Sequence, residues 1–201
     1  MSDNIKRKKG SVCIFLGISM ILSVMGLLCY NICDSYRAEK AANHIVEQLK
    51  IQIPDHPDNE FDDYPEREMP VISADGEVLI GIIRIPALAT EIPVAENFSY
   101  DSLNVEACRC YGSVYTNDIV IAAHNYESFF GKLYTLSVGD KVVFYDFEGK
   151  IHEYDVISQE IIQQNDIDGM YRRNSGEWDL TLFTCTWDGQ TRFTVRCIRS
   201  Q

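Results

Sequence analysis

This chain of 201 residues lacks cysteine spacings typical of metal sites, has few basic side chains beyond residue 40 and contains no internal repeats. Each of these features excludes a class of protein. Seven cysteines are present, but their spacings match no metal-ligand framework such as paired Cys-x-x-Cys, so we expect no structural metal. Basic side chains are few beyond residue 40, where 27 Asp or Glu accompany 12 Lys or Arg, which excludes nucleic-acid binding through a basic surface. Internal repeats are absent as well. The sequence predicts one compact domain with an appendage, and we assign it no cofactor, no metal and no nucleic-acid partner.

Charged residues are also missing from residues 12–32. About 20 apolar residues cross a bilayer as a helix, and this run is longer than a usual signal-peptide core and has no small-x-small cleavage site after it. It predicts a retained transmembrane signal anchor; a cleaved signal peptide and a lipoprotein anchor at Cys29 or Cys33 are the less favoured alternatives. Four basic residues at 6–9 precede the run, so we expect residues 1–11 in the cytoplasm and the rest of the chain outside the cell, on a single-pass protein of the cell membrane.

Residues 33–76 predict a juxtamembrane helix followed by an acidic linker. Small and aliphatic side chains recur at helical spacing through Ala38, Ala42, Ile45 and Leu49. Residues 54–70 then contain four prolines and seven acidic residues, a composition that cannot build much core. We interpret this stretch as a spacer, with a regulatory lid as the alternative.

Short β-branched runs separated by turn residues fill residues 77–201. Glu148-Gly149 and Asp188-Gly189-Gln190 are typical of hairpin turns, which makes the last two strands antiparallel neighbours. Short helices are expected at residues 100–108 and 128–136. The pattern predicts a mainly β domain, either a closed barrel or a sandwich. The expected strands cover residues 78–85, 92–95, 112–115, 119–123, 141–147, 151–162, 180–186 and 192–198.

Cys185 ends the strand-like run Thr-Leu-Phe-Thr-Cys and is the candidate nucleophile. A cysteine in a strand is usually packing, and a catalytic thiol needs a lowered pKa or a neighbouring base. Arg192 follows seven residues later, across the expected hairpin turn, and His124 ends the upstream run Ala-Ala-His. Arg196 shares the strand face of Arg192 but lies farther from the turn, so we expect it to be a surface or groove charge.

These blocks resemble the signature of sortases, the membrane-anchored cysteine transpeptidases of Gram-positive bacteria, whose motif is Thr-Leu-x-Thr-Cys. Residues 119–125, Ile-Val-Ile-Ala-Ala-His-Asn, resemble the strand and loop that carry the family's catalytic histidine, and parts of residues 130–140 match the sequence that follows it. The resemblance covers residues 78–199 and the anchor. It implies an eight-stranded sortase-type β-barrel with short helices, preceded by an N-terminal transmembrane helix.

The resemblance also implies a catalytic set of His124, Cys185 and Arg192. In such an enzyme Cys185 attacks the Thr-Gly-type bond of a C-terminal LPXTG-like sorting signal and forms a thioacyl intermediate. His124 protonates the leaving amine, and Arg192 donates hydrogen bonds to the oxyanion.

Substrate binding is assigned by the same resemblance to Thr184, Asn125 and Arg196. The implied partners are surface proteins that carry a sorting signal and an amine acceptor from a cell-wall precursor or peptidoglycan. A lysine of a pilin is the alternative acceptor, if the enzyme polymerises pili.

The sortase class stays open. A class B member would have a substantial helix in the connection at residues 163–179, which here is short and polar. The lid of a class C member would contain an Asp-Pro-aromatic sequence, whereas residues 62–65 of this chain are Asp-Asp-Tyr-Pro. Glu91, Glu96 and Asp168 are acidic residues of the kind that bind calcium in some class A members, but scattered acids usually face solvent, so we assign no metal.

Two other readings compete with a sortase. The first is a non-enzymatic, anchored extracellular β-domain in which Cys185 and Cys197 form a disulfide; Cys108 and Cys110 would be strained as a pair. The second is a papain-like wall hydrolase, which would place its nucleophile at the start of a helix rather than in a strand.

Overall fold

The computed structural model describes residues 2–54, 67–74, 76–171 and 177–200, with side chains from residue 12 onward. The chain forms two compact units, Met1–Arg37 and Ala38–Gln201. Helix α1 (Ser2–Gln52) contributes to both. In the first unit the helix carries an apolar stretch that is long enough to span a membrane, with a mean hydropathy of 2.6 and none of it buried.

In the described part of the second unit the chain forms nine strands. Their β-branched and aromatic residues favour extended backbone, and alternate side chains face inward. In chain order the strands are β1 (Ile72–Ala74), β2 (Glu77–Ile85), β3 (Thr90–Ala95), β4 (Ala107–Tyr111), β5 (Ile119–Ala122), β6 (Lys141–Asp146), β7 (Ile151–Gln163), β8 (Leu180–Cys185) and β9 (Thr191–Arg199).

Eight of these strands close into a barrel. The order around the sheet is β2-β3-β4-β5-β8-β9-β7-β6, and β6 pairs with β2 to close it, while β1 extends one edge beside β2. Closure leaves few unpaired strand edges. The prediction of an eight-stranded barrel with short helices is therefore confirmed, and the sandwich alternative is wrong.

Two pairings in the barrel are parallel, β3 with β4 and β5 with β8. Parallel neighbours need a crossover, so strands that are distant in sequence end side by side at the same edge of the sheet. The hairpin β8–β9 is antiparallel, as the sequence predicted, and its turn contains Gly189 at a φ of 69°.

The core has two layers. The barrel interior holds the larger cluster, which includes Ile83, Phe144 and Leu182. A second cluster covers the outer face of the sheet, where Val46 and Leu49 of α1 pack with residues of β2 to β5. Each fully buried aliphatic side chain contributes about 1.5–3 kcal/mol, so this end of α1 is an integral part of the domain.

The barrel end farthest from Cys185 contains a buried carboxylate, Asp146, which is fully buried and accepts four hydrogen bonds. Its Oδ1 atom accepts from the backbone N–H groups of Glu148 and Lys150 at 3.0 and 2.9 Å. Its Oδ2 atom accepts from the Tyr115 hydroxyl at 2.9 Å and from His152 Nε2 at 3.0 Å. These bonds fix the β6–β7 turn against the loop that precedes β5.

The nitrogen on the other side of the His152 ring, Nδ1, lies 2.8 Å from Arg199 Nη2. A guanidinium can only donate, so Nδ1 is the acceptor and the proton of the neutral ring is on Nε2. His152 therefore donates to Asp146.

Some expected elements differ. The strand predicted at residues 112–115 is wrong: the chain pairs earlier, in β4, and leaves the sheet at Gly112, whose φ is 67°. The helices expected at 100–108 and 128–136 are only short 3-10 turns, Ser102–Asn104 and Leu133–Thr135. A further short helix, α2 (Ile167–Met170), lies between β7 and β8.

Most of the predicted acidic linker, residues 55–66, lies outside the described residues. The stretch after it packs on the barrel. Met69 is buried, and the Arg67 guanidinium lies 3.9 Å from the ring centre of Tyr115 and pairs with Glu148 at 2.6 Å.

Candidate active site

Cys185 is the last residue of β8, at the edge of the barrel. Leu180 and Leu182 of the same strand are buried in the barrel interior, and because side chains alternate, Cys185 points to the outer face. Its side chain is exposed. A thiol in this position is accessible to a substrate.

The parallel pairing of β5 with β8 brings His124 to the same edge. Ala122 is the register partner of Phe183, and the next backbone N–H, of Ala123, donates to the Phe183 carbonyl at 3.3 Å. Two residues beyond this register pair are His124, which follows β5, and Cys185, which ends β8. The carboxyl ends of two parallel strands thus place the histidine beside the cysteine.

The His124 segment is fixed by hydrogen bonds of its own. The His124 carbonyl accepts from the N–H of Phe130 at 3.2 Å, and the Tyr126 carbonyl accepts from Gly131 at 2.8 Å. A Cβ on Gly131 would lie 2.6 Å from the Tyr126 carbonyl oxygen, so this close approach requires glycine. The His124 ring packs on the ring of Tyr126, with centroids 4.9 Å apart.

Arg192 faces Cys185 from the other side. The two residues are direct register partners in the β8–β9 hairpin. The Arg192 Nη1 atom donates to the carbonyls of Gly189 and Thr191 at 3.1 and 3.0 Å, which holds the guanidinium against the turn and leaves its other N–H groups for a ligand. Cys185 therefore has Arg192 beside it on β9, and His124 follows the end of β5 on its other side.

The turn between β8 and β9 is stabilised by side chains. The Thr186 hydroxyl donates to Asp188 Oδ1 at 2.7 Å, and the N–H of Gln190 donates to the same oxygen at 3.0 Å. These two bonds lower the pKa of Asp188. Trp187, inside this turn, is 92% exposed.

A cleft of about 280 Å³ opens beside Cys185, and its surface is mainly apolar. Aromatic side chains with few polar neighbours suit the aliphatic part of a peptide or acceptor. The lining residues are Asn125, Phe130, Gly131, Tyr134, Thr184, Cys185, Thr186, Trp187 and Phe193.

Sequence reasoning missed most of these aromatic residues. Trp187 carried a usable signal, because a large apolar residue in a polar turn, two residues after a candidate nucleophile, has no packing reason to be there. Tyr134 and Phe193 carried none, since only the fold brings them together.

Thr184 and Asn125, which were assigned to substrate binding, both line this cleft. Thr184 also has a structural role. It is 4% exposed, and its hydroxyl donates to the Ala123 carbonyl at 2.8 Å, so it ties β8 to the residue before His124. Asn125 is half-buried and follows His124 directly.

Arg196 differs from its expected position. It is 2% exposed rather than a surface or groove charge, and its guanidinium lies among protein groups. Its ion pair with Glu160 measures 2.7 Å, and its Nη1 atom donates to Thr181 Oγ1 at 2.8 Å. The alternation of side chains gave the correct face, but residues that follow β7 cover that part of the face. The expectation of an exposed charge is therefore wrong.

All seven cysteines are free thiols, and three of those in the barrel differ from Cys185. Burial raises the pKa of Cys108 to about 11 and of Cys110 to about 12, and raises that of Cys197 farther. A thiol with a raised pKa is a poor nucleophile at neutral pH. Cys185 is the exposed thiol among these four.

The alternative with a Cys185–Cys197 disulfide is wrong. Cys197 is the register partner of Leu180, at the opposite end of the hairpin from Cys185. Five residues of strand span about 17 Å, whereas the Cα atoms of a disulfide lie less than about 7 Å apart.

Two of the three acidic residues that were considered for calcium have basic partners. Glu91 pairs with Lys50 at 2.7 Å, and Glu96 pairs with Arg109 at 3.8 Å. Among the residues that the structure describes, no group of three or more His, Cys, Asp or Glu side chains is arranged to hold a metal ion.

Comparison with known proteins agrees with this geometry. The family model of the sortase domain matches residues 83–200, which is more than half of the chain. Sortase A of Bacillus anthracis is 25% identical over 197 residues, covering 89% of this chain and 90% of that protein.

Two solved structures show the same fold. Sortase C of Streptococcus pneumoniae has a TM-score of 0.55 at 22% identity, covering 84% of this chain and 89% of that one. A sortase D5 transpeptidase of Clostridium perfringens has a TM-score of 0.55 at 19% identity, covering 81% and 97%. Because the sortase family model matches more than half of the chain and the barrel has the same fold, this chain belongs to the sortase family.

Proposed function

We propose that this protein is a cysteine transpeptidase that cleaves a C-terminal LPXTG-like sorting signal and joins the surface protein to a cell-wall amine. The observation that carries the proposal is the register pair of Cys185 and Arg192, with His124 two residues beyond the end of the adjacent strand β5. A nucleophile flanked by a proton donor and a permanent cation is the arrangement that acyl transfer needs.

In the first half-reaction the Cys185 thiolate attacks the carbonyl carbon of the scissile peptide bond. The carbonyl oxygen becomes an oxyanion, and Arg192 donates hydrogen bonds to it from the N–H groups that the turn carbonyls do not occupy. The C–N bond then breaks while His124 gives a proton to the leaving amine. The products are a free amine and a thioester on Cys185.

In the second half-reaction an acceptor amine attacks the thioester. His124 removes a proton from the attacking nitrogen, a new amide bond forms, and the Cys185 sulfur leaves as thiolate. The enzyme returns to its starting state, and no cofactor is consumed.

The N-terminal helix supports an anchored enzyme. Its apolar stretch, preceded by basic residues, orients the barrel to the outside of the cell, where surface proteins and cell-wall precursors meet. Asn125 and Thr184, both in the cleft wall, are proposed to contact the substrate.

A lysine of a pilin is a second candidate acceptor. One structural relative is the sortase C of Streptococcus pneumoniae, an enzyme with pilin substrate specificity. Supplying a soluble oligoglycine amine and a pilin-like lysine peptide in competition distinguishes the two, since the acceptor that appears in the ligated product identifies the reaction.

The proposal is tested with the full chain in detergent micelles and a panel of pentapeptides that differ at the second, fourth and fifth residues. We expect cleavage of a subset of the panel and amide formation with an added amine. Cys185→Ala removes the nucleophile and is expected to abolish both reactions. Unchanged turnover in that variant would sink the proposal.

A further inference from the structure

The backbone ladder between β5 and β8 ends at Phe183, two residues before the candidate nucleophile. Phe183 turns its backbone groups toward β5, and its carbonyl accepts from the N–H of Ala123 at 3.3 Å. The next residue of β8 that turns its backbone groups toward β5 is Cys185, because these groups alternate between the two neighbouring strands. A continued ladder would therefore join the Cys185 N–H to the Ala123 carbonyl.

The turn side of the β8–β9 hairpin gives the same direction for the Cys185 N–H. The N–H of Thr186 donates to the Thr191 carbonyl at 3.1 Å, so Thr186 turns its backbone groups toward β9. Cys185, the residue before it, turns its own N–H the other way, toward β5. Its register pair with Arg192 is consequently a non-hydrogen-bonded pair.

The Ala123 carbonyl, however, is occupied by a different donor. It accepts from the Thr184 hydroxyl at 2.8 Å, and Thr184 is 4% exposed. Within the part of the chain that the structure describes, no hydrogen bond uses the Cys185 N–H. A side chain thus takes the last position of the ladder. The backbone donor of the exposed Cys185 is left available to a ligand.

Covalent geometry places this N–H within reach of the reacting carbonyl. When the acyl carbon is attached to Cys185 Sγ, its oxygen and the amide hydrogen are linked only through N, Cα, Cβ, Sγ and the acyl carbon. A hydrogen bond of about 2.9 Å closes this small ring. The N–H approaches from the β5 side of Cys185 and Arg192 from the β9 side, so a single oxyanion can accept from both.

We propose that the backbone N–H of Cys185 is a second donor to the oxyanion, and that the Thr184 hydroxyl keeps this N–H available. This inference rests on the proposed function. It adds no covalent step, because the N–H keeps its proton and donates a hydrogen bond that strengthens as negative charge develops on the oxygen. The Thr184 hydroxyl acts through the Ala123 carbonyl, which makes it a positioning group.

The test compares Thr184→Val with Thr184→Ser in the full chain. Valine has a similar shape but cannot donate, so the Ala123 carbonyl loses its partner and the Cys185 N–H is expected to move to it. Serine keeps the hydroxyl. Acylation rates are measured by stopped flow with the best-cleaved peptide of the panel and with its thioester analogue. An oxyanion forms on both substrates, whereas only the peptide needs a proton on its leaving group.

For Thr184→Val we expect acylation to slow by about 10²-fold on both substrates, with half-saturation by the peptide within about twofold of wild type. Thr184→Ser is expected to keep most of the wild-type rate. Alkylation by iodoacetamide forms no oxyanion, so its rate at Cys185 should be unchanged in both variants.

A second variant removes the donor itself. If Thr184→Val does not fold, the α-hydroxy acid analogue of cysteine is introduced at position 185, which replaces the amide N–H by an ester oxygen and keeps the thiol. This change is expected to slow acylation by both substrates to a similar extent.

Unchanged acylation in folded Thr184→Val, or in the ester analogue, overturns the inference. A loss confined to the peptide also overturns it, because that pattern would assign Thr184 to the placement of His124. The same holds for an equal loss in Thr184→Ser, or a matching fall in alkylation, since either would indicate altered packing. A wild-type chain that is acylated by neither substrate overturns the proposed function itself, so the two failures are distinguishable.

Discussion

Cys185 and Arg192 are direct cross-strand partners at the turn end of the β8–β9 hairpin. The cysteine ends one strand, the arginine follows at the start of the next, and a turn around Gly189 joins them. The Arg192 guanidinium therefore lies next to the candidate nucleophile through local structure alone. His124 is brought to this edge differently, two residues beyond the end of strand β5, which is parallel to β8.

Arg192→Ala is expected to lower kcat/KM by about 10²–10³, because it removes a donor to the oxyanion. Folding should change little, since the guanidinium of Arg192 bonds within the turn only to carbonyls that solvent can also reach. Steady-state kinetics and a thermal melt check both points. A loss of activity in Arg196→Ala that exceeded the loss in Arg192→Ala would reassign the oxyanion role.

His124→Gln is expected to lower kcat on a peptide substrate by about 10²–10⁴, because no group then protonates the leaving amine. A thioester analogue of the substrate releases a thiolate, which needs no proton, so its rate of enzyme acylation should fall much less. Stopped-flow acylation rates with the two substrates provide the check. Equal losses on both would exclude a role for His124 as the acid, and Tyr126→Phe is the control for packing beside the ring.

Trp187→Ala is expected to raise KM about tenfold and to leave stability unchanged. The indole lines the cleft beside Cys185 but is 92% exposed, so removing it opens the cleft without leaving a hole in the core. Trp187→Phe keeps an aromatic wall and should recover most of the affinity. A fall in the thermal midpoint of Trp187→Ala, with KM unchanged, would show that the indole is structural.

Asp146→Asn is expected to destabilise the barrel by about 2 kcal/mol at neutral pH. Burial by itself would raise the pKa of Asp146, but the hydrogen bonds from His152, the Lys150 N–H and Tyr115 outweigh it and hold the pKa below its usual value. A lowered pKa in the folded state means that the carboxylate stabilises the fold above the unfolded-state pKa of about 4 and loses this effect as the pH falls through the folded value.

Urea unfolding of wild type and Asp146→Asn from pH 7 to pH 2 tests whether the pKa of Asp146 is lowered in the folded state. The difference in unfolding free energy between them should be constant above about pH 5 and shrink below about pH 4. Asp155→Asn is the matched control, because Asp155 is a surface carboxylate whose pKa is lowered by the Lys141 and Ser200 side chains. If the difference in unfolding free energy between wild type and Asp146→Asn grew as the pH fell, it would contradict a lowered pKa for Asp146.

Strands rich in Val and Ile were predictable from sequence, and so was the β8–β9 hairpin, because its turn residues and alternation are local signals. Strand β4 was missed because its sequence, Ala-Cys-Arg-Cys-Tyr, contains no β-branched residue. Its extended conformation comes from pairing with neighbouring strands rather than from its own composition.

The residues of the candidate site could be predicted from the sequence, but their arrangement in space could not. Motif blocks named His124, Cys185 and Arg192, but the parallel pairing of β5 with β8 joins segments about 60 residues apart, and no local pattern encodes it. Arg196 shows the same limit, since alternation predicts which face of a strand a side chain occupies but not what covers that face.

The most direct test of the central claim is to capture the acyl-enzyme. The full chain is mixed with a sorting-signal peptide without an amine acceptor, and the protein is analysed by intact mass and peptide mapping. We predict a mass increase equal to the acyl part of the peptide, located on Cys185, which disappears when an amine is added. Cleavage of the peptide without any adduct, or an adduct on Cys110 instead, would contradict it.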